Sequence, residues 1–165
     1  EGSEVLLSTE YTEFVEQNPG IAAKTVYTGT IDGFFQYCYG PLEYRSLHFE
    51  TEVLDCENYQ GNAVVNYTAR EVPYTRIIEH KHFNFGTQPK TVITREYPAQ
   101  WQPGMEPYYP VNDEKNQELL ARYQELAKSR PDVLFGGRLG SYRYYNMDQV
   151  LRAALDDARK ELAQG

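Results

Sequence analysis

Apolar and polar positions along this chain change their period several times, and each change marks an element. Alternation is clearest over residues 43–52, where Tyr44, Ser46, His48 and Glu50 lie on one face of an extended strand and Arg45, Leu47, Phe49 and Thr51 on the other. Runs rich in β-branched and aromatic residues at 62–68, 74–79 and 90–97 predict three further strands, the first two separated by a polar stretch at 69–73. Short polar connections with no helix between them imply antiparallel pairing. Residues 4–8 read as a short strand and 24–28 as a buried one.

Helical spacing appears in four places. Residues 11–17 form a polar helix stopped by Asn18-Pro19-Gly20, and Ile31, Phe34, Phe35 and Cys38 predict a second helix ended by Gly40-Pro41. Leu119, Leu120, Tyr123, Leu126 and Ala127 keep one face until Arg130-Pro131. The last helix carries Met147, Val150, Leu151, Ala154, Leu155, Ala158 and Leu162, with Asn146 as its N-cap and Gln149 completing a capping-box-like start. Between sheet and helices, residues 98–110 hold four prolines and the only Trp, which predicts a loop. The class is therefore α+β: an antiparallel sheet of about five to six strands with flanking helices. It divides into a sheet domain over 1–111 and a helix-strand-helix segment over 112–165. No repeat or low-complexity tract is visible.

Composition narrows the partners. A formal net charge of −8 argues against a nucleic-acid groove. No stretch reads as a signal peptide or membrane span, and a chain opening on Glu1 predicts a piece cut from a cytoplasmic protein. Cys38 and Cys56 lack metal-type spacing and read as free thiols. The Asn66-Tyr67-Thr68 triplet matches a glycosylation acceptor, a pattern too short to outweigh chance. Tyrosine is the compositional outlier, 15 against seven Phe, so many rings need a wet or hydrogen-bonded edge; a half-exposed sheet is the favoured explanation.

The run from Val133 through Gly136-Gly137-Arg138 to Tyr144, Asn146 and Asp148 is a strand, a glycine turn and a helix start, the geometry that holds an anion on unpaired amides. A sharp turn with a packed tyrosine cluster explains the same residues without a ligand. Arg45, Arg76, Arg95 and Arg138 sit in or beside strands, and an arginine there demands an internal carboxylate or a ligand phosphate. His80 and His82, placed on one face of a strand with Glu79 nearby, make a conceivable metal pair, but further ligands cannot be named and ordinary histidines explain them better; no metal is expected. No serine or cysteine nucleophile has a recognisable local pattern.

Several segments together resemble the UDP-galactopyranose mutase family, flavoenzymes that interconvert the pyranose and furanose forms of UDP-galactose. They are Thr28-Gly-Thr-Ile-Asp32, Leu42-Glu-Tyr-Arg45-Ser-Leu, Gln60-Gly-Asn-Ala-Val-Val-Asn66-Tyr, Val72-Pro-Tyr-Thr-Arg76-Ile-Ile-Glu-His80-Lys, Glu106-Pro-Tyr-Tyr109-Pro-Val and Phe135-Gly-Gly-Arg138-Leu-Gly-Ser-Tyr-Arg-Tyr144-Tyr-Asn-Met-Asp148. The resemblance implies the C-terminal portion of such an enzyme, without the N-terminal dinucleotide-binding motif and the helical uridine-binding domain, and inactive alone. It also implies that the closing strand-turn-helix belongs to the FAD-binding domain.

By motif position, the resemblance makes Asn66, Arg76, Tyr109 and Tyr144 substrate contacts, with Arg76 and the tyrosines on the diphosphate and Arg76 catalytic, and Arg45 a pocket-lining arginine. Gly137, Arg138, Tyr145, Asn146, Met147, Asp148, Gln149 and Val150 become flavin-binding positions, Asn146 standing where many relatives have Asp. The implied cofactor is FAD, active when reduced, its N5 attacking the anomeric carbon. The implied partner is UDP-galactose, and the full-length enzyme could form a homo-oligomer. Two other readings compete: a related flavin-dependent amine oxidase or desaturase, and a nucleotide-sugar-binding module without chemistry.

Overall fold

A computed structural model describes residues 2–164. In chain order the elements are helix α1 (Tyr11–Gln17), strand β1 (Thr25–Tyr27), helix α2 (Ile31–Phe34), strands β2 (Tyr44–Leu54), β3 (Val64–Asn66) and β4 (Arg76–Glu79), a 3-10 turn (His80–Asn84), strands β5 (Thr91–Gln100) and β6 (Tyr109–Pro110), helix α3 (Glu114–Ala127), strand β7 (Val133–Phe135), and helices α4 (Gly137–Gly140) and α5 (Met147–Gln164). The class is α+β. The chain forms two compact units, one running through Leu42 and resuming at Pro110, the other spanning Glu43–Tyr109.

The second unit is built on an antiparallel sheet of order β3-β4-β5-β2-β6. β2 and β5 pair along their whole length, from Arg45 opposite Gln100 to Leu54 opposite Thr91. One face buries Tyr44, Ile77, Ile93 and the carboxylate of Glu79. Glu79 accepts hydrogen bonds from the amides of Tyr59 and Gln60 and from the Thr91 hydroxyl, while buried Lys81 donates to the carbonyls of Glu57 and Gln88. The two side chains therefore clamp the β2–β3 connection from opposite polarities, which is how a buried charge becomes tolerable. On the same sheet Tyr74 stands edge-on to Tyr67 and Tyr97, with centroids 5.0 and 5.9 Å away, and the Tyr97 hydroxyl donates to Glu50. Part of the tyrosine excess is thus a cluster of edge-on rings, of which Tyr97 has a hydrogen-bonded edge.

The first unit pairs β1 with β7 in parallel, Thr25 opposite Val133. α3 turns Asn116, Leu120 and Tyr123 inward; the Tyr123 hydroxyl donates to Gly40 O and accepts from the Tyr39 amide. Phe34 packs edge-on against Tyr27 and Phe135. Asp32 is fully buried and ties the Gly33 and Leu42 amides. Asp113 caps α3 through the Asn116 amide, and Gln149 returns its side chain to the Asn146 amide at the start of α5.

Several expectations are corrected. Residues 4–8 form no strand; Val5 and Leu7 are exposed, and a strand needs a ladder partner. The second helix stops at Phe34, because Gln36 and Tyr37 take left-handed backbone that breaks the helical turn. β1 is only half-buried, with Val26 65% exposed. His80 and His82 lie in the 3-10 turn rather than on a strand, each engaged separately: His80 with the Thr94 hydroxyl, His82 3.0 Å from Glu79. The proline-rich stretch contributes strand at both ends. β5 runs through Pro98 because the β4 ladder ends at Glu96, so the missing N–H falls where that neighbour has stopped. Apart from these corrections, the apolar stripe of α5 is uncovered among the described residues: Met147, Leu151, Leu155 and Leu162 are 81, 63, 55 and 83% exposed.

Candidate functional site

The sheet unit carries most of the polar residues expected to meet substrate. Residues directly opposite in an antiparallel ladder project to the same face, and three register pairs join into one row: Phe49 opposite Glu96, Glu96 opposite Arg76, and Arg76 opposite Asn66. The row crosses β2, β5, β4 and β3. Arg45, four residues before Phe49 on β2, belongs to that face by alternation and is exposed. Its carbonyl accepts the Tyr108 amide at 3.0 Å, the Tyr108 ring stands edge-on to Phe49 at 5.9 Å, and Tyr109 opens β6 beside β2.

Within this row the arginine is held. Arg76 Nε lies 3.2 Å from Glu96 Oε1, an ion pair whose N–H is not aligned for a hydrogen bond; the side chains are 39% and 9% exposed. Thr75 donates its hydroxyl to the same carboxylate oxygen at 3.1 Å. Among the described residues the terminal amino groups of Arg76 make no hydrogen bond, so the half-exposed guanidinium retains donors for an anion. The choice between internal carboxylate and ligand phosphate thus resolves differently for each arginine. Arg95 pairs with Glu52 at 3.0 Å. Arg76 has a carboxylate and spare donors, and Arg45 makes no ion pair among the described residues.

In the other unit, Arg138 closes the loop ahead of α5. Its Nη2 donates to Tyr145 O at 2.7 Å, and its guanidinium carbon sits 5.5 Å from the centroid of the Tyr144 ring. Gly137 has φ +71°, and a Cβ there would meet the Thr28 Cβ at 3.4 Å. Gly140 is tighter still, its missing Cβ falling 2.8 Å from Tyr27 O. The turn therefore rests against β1, with no room for a Cβ at Gly140 and a left-handed backbone that disfavours one at Gly137. Gly137, Tyr145 and Val150 line a groove of about 620 Å³ with Thr28, Gly136 and Ala154. Asn146 to Gln149 opens α5, whose first-turn amides lack intrahelical acceptors.

The structure thus brings Asn66 and Arg76 together on one face, and Arg138, Tyr144 and Tyr145 together in one loop. Glu96 and Thr75 were not anticipated. The signal was present as Thr94-Arg95-Glu96, where strand alternation puts a carboxylate on the face opposite Arg95; only the register adds that Arg76 stands across from it.

Comparison with known proteins follows these residues. The family described as "GLF: UDP-galactopyranose mutase" matches residues 1–144. A probable UDP-galactopyranose mutase of Klebsiella pneumoniae is 40% identical over 152 residues, 92% of this chain and 39% of that protein. The UDP-galactopyranose mutase of Mycoplasma pneumoniae is 36% identical over 95% of this chain and 41% of its own length. A dTDP-fucopyranose mutase of Escherichia coli is 36% identical over 81% of this chain and 36% of that protein. This chain spans about two fifths of the length of these relatives. No described helix is long and apolar enough to cross a membrane. The chain belongs to the UDP-galactopyranose mutase family.

Proposed function

We propose that the protein containing this chain is a flavin-dependent, cytoplasmic mutase that interconverts UDP-galactopyranose and UDP-galactofuranose, and that this chain supplies its diphosphate contacts and part of its flavin site. The observation that carries the reading is the Asn66–Arg76 pair, with spare guanidinium donors on a face that also bears Arg45. Breaking the bond between sugar and diphosphate gathers negative charge on the leaving oxygen. A guanidinium already in place stabilises that charge without reorganising at the moment of reaction, and the Tyr109 hydroxyl, on the same unit, would add a donor.

The residues around Gly137 fit the flavin. The side-chain-free turn permits close backbone approach, and the start of α5 offers amides and a positive helix end to an electron-rich ring. Gly137, Arg138 and Tyr145 through Val150 would hold the cofactor. Reduced and bound, FAD would supply a nucleophilic nitrogen for the anomeric carbon; the chain's own residues would bind, orient and neutralise.

The Escherichia coli relative favours one variant of this reading, in which the nucleotide sugar is a dTDP-6-deoxyhexose, since a diphosphate clamp reads neither base nor sugar. The full-length protein, reduced and assayed with UDP-galactofuranose and dTDP-fucofuranose, is expected to convert the first. Conversion of the second alone would move the substrate assignment. Absence of both turnovers together with absence of flavin absorbance would sink the proposal and favour a binding module.

A further inference from the structure

The carboxylate of Glu96 is more than the bland partner of an embedded arginine. Glu96 is 7% exposed and lies directly across the β4–β5 ladder from Arg76. The Arg76 Nε is fully buried although its side chain is 39% exposed, so the exposed atoms are elsewhere in that side chain. The carboxylate is itself oriented: the Thr75 hydroxyl donates to Oε1 at 3.1 Å, and the Thr75 amide donates to the Glu96 carbonyl at 2.8 Å. From this geometry we infer that Glu96 is a positioning residue, holding Arg76 by its Nε edge so that the terminal amino groups are presented to the diphosphate. The inference rests on the diphosphate role proposed above.

Two physical effects oppose each other here, which makes the inference testable. As a mere counter-charge, Glu96 weakens the pull of Arg76 on an anion, and neutralising it tightens diphosphate binding. As a positioner, it removes rotamer freedom from a long side chain before the ligand arrives, and neutralising it weakens binding. Burial and the Thr75 contact argue for the second effect.

The test uses the full-length protein, with UDP as probe in calorimetry. Glu96→Gln keeps the shape and removes the charge; it is expected to raise the Kd for UDP about tenfold and to lower kcat/KM by at least as much. Arg76→Lys is expected to cost much less in the Glu96→Gln background than alone, since the two act as a unit. Thr75→Val leaves both charges in place and is expected to weaken UDP binding to a smaller extent, which keeps the question open to measurement if Glu96→Gln misfolds. The 15N relaxation of Arg76 Nε, rigid in the wild type and mobile in Glu96→Gln, reads the positioning without any ligand. Unchanged or tighter UDP binding, additive effects, or an equally rigid Nε in the variant would each overturn the inference. A wild type that neither binds UDP nor turns over a nucleotide sugar would instead refute the diphosphate role, leaving the Nε relaxation to decide what Glu96 does.

Discussion

Asn66 and Arg76 face each other across the β3–β4 ladder, ten residues apart in the chain and directly opposite in register. A carboxamide and a guanidinium are thus carried on one rigid two-stranded frame, which limits their relative motion without a ligand. Replacing Arg76 with Ala in the full-length protein is expected to lower kcat/KM for UDP-galactofuranose about a hundredfold, whereas Asn66→Ala, which removes no charge, is expected to cost about tenfold. Product formation followed by chromatography under reducing conditions checks both, and near-normal turnover in Arg76→Ala would remove it from the chemistry.

Acid should act through Glu79. Burial alone would raise its pKa, but the Gln60 amide, the Thr91 hydroxyl, the Tyr59 amide and His82 outweigh that and lower it from 4.5 to about 2. A depressed carboxylate contributes stability that is present above its unfolded pKa and lost as pH falls through the folded one. Stability should therefore decline from about pH 4.5 towards 2. Glu79→Gln should unfold about 2–4 kcal/mol more easily at neutral pH, from misplaced donors around a buried site, and flatten that acid dependence. Urea titrations at several pH values test it; an unchanged acid limb would show that the loss of stability lies elsewhere.

The turn after β7 should reject any side chain. A Cβ on Gly140 would stand 2.8 Å from Tyr27 O, a backbone atom that moves only with β1, so Gly140→Ala is expected to cost about 1–3 kcal/mol. Gly137→Ala meets Thr28 at an ordinary distance but forces φ +71° on a residue with a Cβ, for about 1–2 kcal/mol. Thermal unfolding of the two variants would rank the clash above the strain; equal Tm values for all three proteins would contradict the close packing of this turn.

The exposed stripe of α5 should behave as a sticky surface in the isolated chain. Leu151 and Leu155, both more than half exposed, lie four residues apart on one side of the helix. Replacing both with Gln should reduce binding of the dye ANS and raise the concentration at which the chain remains monomeric in sedimentation. Dye binding equal to that of the unmodified chain would move the apolar surface to another element.

Local pattern was sufficient wherever the physics is local. The helix at 11–17 stops at its Asn-Pro-Gly signal, α3 follows its apolar spacing, β2 its alternation, and the Asn146–Gln149 contact its capping motif, because backbone propensity and the period of buried positions act over a few residues. Nothing in strand alternation says which residue lies across a ladder. The meeting of Asn66, Arg76, Glu96 and Phe49 in one row was settled by register, a property of three strand pairings at once, and so was the passage of β5 through Pro98. Likewise an apolar stripe on a helix reports what the helix can cover, while the exposed leucines of α5 record what the described chain places against it. Sequence by itself determined α1, β2, α3 and α5, the capping motif at Asn146–Gln149 and the inventory of arginines and tyrosines. Tertiary structure alone decided which arginine met a carboxylate and which kept donors to spare, since ion pairing depends on distances across the sheet that no local period encodes.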